Sequence, residues 1–337
     1  MSSDILIVTN GTKESFPAVE QGAWLAKTLE AKITLLGITE KLNPAAIDDI
    51  HPLEAVFEKA VDVFNAQGAE YRLEVRNGSA EKIVPQEAKE NDSIVVLSPL
   101  GRPQFQRLMA GRSIRNFIEA IEQPLLYVPS VRMPVKKILI SVGGLGYDMN
   151  AEHIAMQIAL KSGAEIVFLH VVPPIDLNYP TAEAISKNWQ HLAETDTPVG
   201  RSLRQSLENA RTAGINASVK VRHGNVIEEI LAETVEGKYD FLCMGSSYSV
   251  HSLRQMYSAN VTSEIMEHAQ CPVMTARFRM EYSWKIQQVL FSKRCVLRRR
   301  NITTSDAEIQ SLRLILIILF RWLRRCGVWA MCVILHY

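Results

Sequence analysis

The sequence predicts an α/β protein built as two tandem, doubly wound domains. Three observations carry that prediction. Short β-branched apolar runs alternate with stretches of helical periodicity, as in parallel βαβ units. The alternation occurs twice, with matching segments 133 to 148 residues apart. In the first copy a loop bearing Gly101 and Gly111 separates a strand from a helix, a place where backbone N–H groups can face an anion.

In order, Ile5 to Val8 reads as the first strand, ending at the turn Asn10-Gly11-Thr12. Pro17 to Leu29 reads as a helix, with Val19, Ala23 and Ala26 inward and Trp24 or Leu25 flanking. Ile33 to Thr39 is the second strand, Leu53 to Gln67 a helix carrying Val56, Ala60 and Val63, and Tyr71 to Val75 the third strand. Arg76-Asn77-Gly78 turns into a helix over Ala80 to Lys89. Ser93 to Leu97 is a β-branched run suited to a strand buried on both faces. After the glycine loop, Ile114, Phe117, Ile118 and Ile121 share one helical face. Pro124 stops that helix and Leu125 to Val128 begins a strand.

The second half repeats this order. Lys136 to Ser141 matches the first strand 133 residues later, and Glu165 to Val171 matches the second. Val221-Arg222-His223-Gly224 echoes Val75-Arg76-Asn77-Gly78 at an offset of 146. Tyr239 to Gly245 echoes Asp92 to Ser98 at 147, and Gln270-Cys271-Pro272 echoes Glu122-Gln123-Pro124 at 148. The widening offset puts an insertion of 13 residues within Pro173 to Gly200. A repeat of this size is a duplicated domain rather than a solenoid. The expected boundaries are 1–130 and 134–278, with a short linker that brings the halves close, and a tail over 279–337.

The formal net charge of +1 conceals an asymmetry. Residues 1–278 carry a net −7 and residues 279–337 a net +8. An acidic body excludes charge-driven nucleic-acid binding. The five cysteines show no metal-ligand spacing with histidine, so no zinc site is read. The N-terminus lacks a basic n-region and a long apolar run, and a reduced, cytoplasmic body is the expectation.

The order Ile-Leu-Ile-Val-x-Asn-Gly-Thr, then Arg-x-Gly, then Val-Leu-Ser-x-x-Gly-x9-Gly, then Gln-Pro-Leu-Leu-x-Val-Pro resembles the universal stress protein family. The second half resembles it more closely, through His170-Val171-Val172, Met244-Gly245-Ser246 and Ser263 to Val273. The resemblance spans roughly residues 3–278. It implies a five-stranded parallel sheet in each domain (adenine nucleotide alpha hydrolase-like), paired through the last strands, Leu125 to Val128 and Val273 to Ala276. It also leaves room for a homodimer.

The family divides into ATP binders and non-binders. Binders carry a Gly-x2-Gly-x9-Gly-Ser/Thr loop for phosphates and ribose and an aspartate after the first strand for adenine. Carried onto the first domain, Ser98 replaces the first glycine, Gly101 and Gly111 stand in place, and Arg112 replaces the small hydroxyl residue with Ser113 one step on. Asn10 replaces the aspartate, followed by Gly11 and Thr12, and Ile38 sits where a valine would flank adenine. Arg102, Arg107, Arg112 and Arg115 add positive charge. The resemblance therefore implies ATP or another adenine nucleotide on Asn10, Gly11, Thr12, Ile38, Gly101, Arg102, Gly111, Arg112 and Ser113. The alternative is that the arginines are solvated or pair with acids. In the second domain Tyr248 takes the second glycine position, Ala259-Asn260 falls where Gly-Ser would be, and Gly143 replaces the aspartate. That half is expected not to bind.

No other chemistry stands out. Ser141 to Asp148 partly resembles the pyrophosphate loop of ATP-cleaving ligases, but with insertions. No Gly-x-Ser-x-Gly elbow is present, and Glu228 and Glu229 read as solvated helix residues. In the tail, Leu314 to Phe320 is apolar but Arg321, Arg324 and Arg325 interrupt the only candidate span. A basic segment on an anionic membrane surface, a partner-binding helix and an extension with no selected role are its three readings, the last preferred. For the whole chain the reading is a non-catalytic, nucleotide-responsive stress protein; the alternatives are an interaction scaffold that binds no nucleotide and a slow ATP hydrolase.

Overall fold

The computed structural model describes residues 4–39, 52–100, 114–143, 148–174, 189–246 and 255–277. The expected elements are there. In the first half they are β1 (Ile5–Thr9), α1 (Phe16–Leu29), β2 (Ile33–Thr39), α2 (Pro52–Gln67), β3 (Tyr71–Asn77), α3 (Ala80–Asn91), β4 (Ile94–Leu97), α4 (Ile114–Ala120) and β5 (Leu125–Tyr127). In the second they are β6 (Lys137–Ser141), α5 (Met149–Ser162), β7 (Glu165–Val172), α6 (Pro198–Thr212), β8 (Ala217–His223), α7 (Val226–Glu236), β9 (Phe241–Ser246), α8 (Gln255–His268) and β10 (Val273–Arg277).

The strands form one ten-stranded sheet in the order β3-β2-β1-β4-β5-β10-β9-β6-β7-β8. Within each half every pairing is parallel. The halves meet where β5 and β10 pair antiparallel, Leu126 opposite Met274. Each half is thus the five-stranded unit the resemblance implies, joined through the last strands. The central strands are buried on both sides because helices cover both faces, while the edge strand β3 is largely exposed. Every residue of β1 and β4 is buried, which is why these strands read as continuous apolar runs instead of alternating ones.

One core face carries Ile5, Ile7, Ile33, Leu35 and Val96 from the first half together with Ile138, Ile140, Ile166 and Phe168 from the second. It is continuous across the seam. The Trp24 ring of α1 lies 6.5 Å from the Phe241 ring of β9, and Lys161 of α5 pairs with Glu30 at the end of α1. Small departures from the sequence reading follow from packing. Leu25 is fully buried, and Phe64, not Val63, is the deep anchor of α2.

Pro198 to Thr212 begins behind part of the insertion. A 3-10 turn, Trp189–Glu194, packs by β8 and α6, and its Trp189 ring lies 5.7 Å from His223. Thr197 caps α6 by accepting the Gly200 N–H at 3.0 Å. No helix among the described residues is long and apolar enough to cross a membrane. The tail over 279–337 lies outside the described residues, and so do its three readings.

Candidate functional site

In an open parallel sheet ligands bind outside the carboxyl ends of the strands, where the strand order reverses. In the first domain that point lies between β1 and β4. Asn10 and Leu100 stand there, each just past the end of its strand, and the Asn10 Nδ2 donates to the Leu100 carbonyl at 2.8 Å. The same amide's Oδ1 accepts from the Thr12 N–H at 3.3 Å and the Thr12 hydroxyl at 2.9 Å. The turn between them needs the left-handed conformation, which Gly11 supplies with a φ of 83°. A relay continues below. The Gly11 N–H donates to Thr9 Oγ1 at 3.1 Å, Thr9 Oγ1 lies 2.7 Å from Ser15 Oγ, and Ser15 Oγ donates to the Thr12 carbonyl. Asn10 therefore closes the β1 loop and ties it to the segment leaving β4.

Of the residues implicated by sequence, Asn10, Gly11 and Thr12 come together in this turn. Ile38 is buried near the end of β2, 2% exposed, and packs in the same core as Val8, Leu97 and Leu100. Ser98, in the first glycine position, donates its hydroxyl to the Val128 carbonyl at 2.8 Å, binding the start of the loop to the end of β5. Gly101, Arg102, Gly111, Arg112 and Ser113 lie outside the described residues, as does Tyr248 in the second domain.

The second domain closes the matching point differently. Gly143 aligns with Asn10, and its N–H donates to Asp148 Oδ2 at 2.7 Å. Asp148, the N-cap residue of α5, is 8% exposed. One helical turn on, buried Glu152 accepts from the Ser206 hydroxyl of α6 at 2.8 Å. Burial pushes the Glu152 carboxyl up to about 7; the Ser206 bond pulls it back in part and the Asp148 charge raises it further. His170 sits beneath, its Nδ1 2.7 Å from the Val142 carbonyl, and burial lowers its pKa against that bond's opposite pull. Asp148 and Glu152 thus stand near the carboxyl end of β6.

Away from these points the described groups are chemically quiet. Burial pushes the Cys271 thiol up to about 12 and the Cys243 thiol higher still, so both stay protonated and poorly nucleophilic. No group of three or more His, Cys, Asp or Glu among the described residues could hold a metal ion.

The sequence reading missed one charged cluster. Arg222 of β8 donates to Glu229 at 2.5 Å, Glu233 at 2.8 Å and Glu236 at 2.7 Å, all on α7. Lys220 pairs with Glu233 at 2.7 Å, and the Tyr239 hydroxyl donates to it at 3.0 Å. Glu229, expected to be solvated, is instead bound to Arg222 with a side chain 25% exposed. The repeat itself held the signal, because Arg76 and Glu87, 146 residues earlier than Arg222 and Glu233, form the matching pair at 2.8 Å.

The fold has counterparts among known proteins. The universal stress protein from Archaeoglobus fulgidus DSM 4304 aligns over 82% of this chain and 97% of its own, at 18% identity and a TM-score of 0.56. A functionally unknown protein from Pseudomonas aeruginosa PAO1 aligns over 81% and 92%, at 12% identity and a TM-score of 0.57. At such identities the likeness concerns the fold. No curated protein matches the sequence. The description "Universal stress protein family" matches twice, over residues 1–129 and 134–277, one match to each half of the ten-stranded sheet. Covered by both matches over most of its length, the chain belongs to the universal stress protein family.

Proposed function

We propose that this chain is a cytoplasmic, non-catalytic stress-response protein that binds one adenine nucleotide, ATP or AMP, in its first domain. The phosphates and ribose would sit against Gly101, Arg102, Gly111, Arg112 and Ser113, and the base near Asn10, Gly11, Thr12 and Ile38. The observation that supports this most is the tie between Asn10 and Leu100, which fixes the mouth of the crevice between β1 and β4. Glycines at 101 and 111 leave backbone N–H groups free of side-chain obstruction where phosphates would approach. The arginines add a charge of the right sign. The second domain takes no nucleotide on this reading, because Gly143 offers no side chain where Asn10 stands and Tyr248 takes the second glycine position.

Calorimetric titration of the full chain with ATP and with AMP tests the reading. Binding that disappears in Gly111→Trp, with no phosphate release above background, is the expected result. Absence of heat at millimolar nucleotide would leave a scaffold, and sustained phosphate release lost in Gly111→Trp would make the protein a slow hydrolase.

A further inference from the structure

Arg277 closes β10, beside Ser246 at the end of β9. Its guanidinium crosses the seam between the domains. There Nη2 donates to the Ile118 carbonyl at 2.8 Å and the Glu119 carbonyl at 2.6 Å. Both belong to the last turn of α4, where carbonyls lack intrahelical donors. A cation at that end also opposes the helix dipole favourably. The main-chain carbonyl of Arg277 faces the other way and accepts from Asn150 Nδ2 at 2.6 Å. Asn150 stands in the first turn of α5, two residues after Asp148. One residue therefore bonds the end of a first-domain helix to the start of a second-domain helix.

The aligned positions of the first domain differ. The residue 148 positions before Arg277 is Pro129, and the residue 133 positions before Asn150 is Pro17. Proline has neither a backbone N–H nor a side-chain donor, so these two positions cannot repeat the Arg277 and Asn150 bonds, and the first domain reaches across with Ser130 instead, whose hydroxyl donates to the Gln270 carbonyl at 2.7 Å. Both halves thus reach across the seam, but only the second does so with a cation among the described residues.

Helix α4 has seven residues, about 10 Å of length. An element that short moves as a unit, so a displacement at its start reaches the two carbonyls that Arg277 holds. We propose that Arg277 is a latch through which the position of α4 is communicated to the first turn of α5 and to the Asp148–Gly143 closure of the second domain. What moves α4 rests on the nucleotide reading above; the latch does not. Coupling of this kind is reciprocal in free energy, so releasing the latch also changes the affinity of the first domain for its ligand.

Hydrogen exchange on the full chain, with and without saturating ATP, tests this in the wild type, Arg277→Met and Arg277→Lys. In Arg277→Met, amides of Ile114–Ala120 and of residues 149–154 are expected to exchange about tenfold faster, with β1 and β2 unchanged. Unchanged exchange at 149–154 overturns the latch. Should Arg277→Met loosen the whole sheet, β1 and β2 amides accelerate as well. Arg277→Lys, which keeps the charge but not the planar fork, is then the deciding variant, with acceleration confined to the two helices expected and none at 149–154 overturning the proposal. ATP is expected to slow both segments in the wild type and only the first in Arg277→Met; slowing of both in the variant also overturns it. ATP without effect on the wild type removes the nucleotide reading, and the exchange of the two variants without ligand still judges the latch.

Discussion

At the residue scale, Glu152 is a buried carboxyl with no cationic partner among the described residues. Its pKa is raised to about 7 in the folded chain, against an ordinary value near 4 when unfolded. Between those values the folded state holds the proton that the unfolded state has lost, so stability falls as pH rises through that window. The contribution is complete below about pH 4 and lost above about pH 7. Glu152→Gln keeps an acceptor for Ser206 and removes the titration. The variant is expected to be more stable than the wild type at pH 8 by about 1–3 kcal/mol, and equal to it near pH 4.5. Urea denaturation at the two pH values checks this; an equal difference at both would mean that packing, not charge, sets the effect. Asn10 offers a second test. Asn10→Ala removes both the Leu100 tie and the turn within Asn10–Thr12, at an expected cost of about 1–2 kcal/mol by urea denaturation.

Elements differ between the two halves mainly in how a strand is fastened to its following helix. In the second half Glu233 has a side chain 1% exposed and takes Lys220, Arg222 and Tyr239 together. Burial alone would raise its pKa, and the three hydrogen bonds outweigh that and leave it lowered. In the first half the matching Glu87 is 13% exposed and, among the described residues, pairs with Arg76. Breaking a buried pair costs several kcal/mol, whereas a pair near the surface contributes little. Glu233→Ala is therefore expected to cost about 3 kcal/mol and Glu87→Ala about 1 kcal/mol or less, measured by denaturant midpoints. Equal costs would show that burial does not separate the two. The turns that lead into these helices are shared. Gly78 and Gly224 have φ values of 140° and 153°, a conformation open to glycine alone, and a Cβ on Gly224 would meet Glu229 Oε1 at 2.7 Å. Periodicity and β-branched runs made the strands and helices readable in sequence, because each is a local pattern. The Glu233 cluster was not readable in that way. Its members span Lys220 to Tyr239, across β8, α7 and the loop before β9, and only the matched spacing of Arg76–Glu87 and Arg222–Glu233 points to it. Asp148 escaped for a similar reason, since its partner Gly143 contributes only a backbone N–H.

On the scale of the whole molecule, the seam makes one sheet of two domains. Leu126 and Met274 face each other there, both fully buried. Met274→Ala is expected to cost about 2–5 kcal/mol and to lower the stability of both halves together, because the sheet and one core face run through the seam. Calorimetric unfolding that resolves into two independent transitions would contradict a shared core. The family, its five-stranded parallel sheets and their pairing through the last strands were legible from the repeat and from short motifs such as Met244-Gly245-Ser246. The asymmetry between the halves was legible only in part, since Gly143 in place of Asn10 shows in sequence while the carboxylate that meets it does not.

That asymmetry makes the central claim countable: one nucleotide in the first domain and none in the second. Equilibrium dialysis of the full chain against saturating labelled ATP measures the number directly. The account predicts one ATP per chain. Two per chain would contradict a second domain that takes no nucleotide, and none would contradict nucleotide binding altogether.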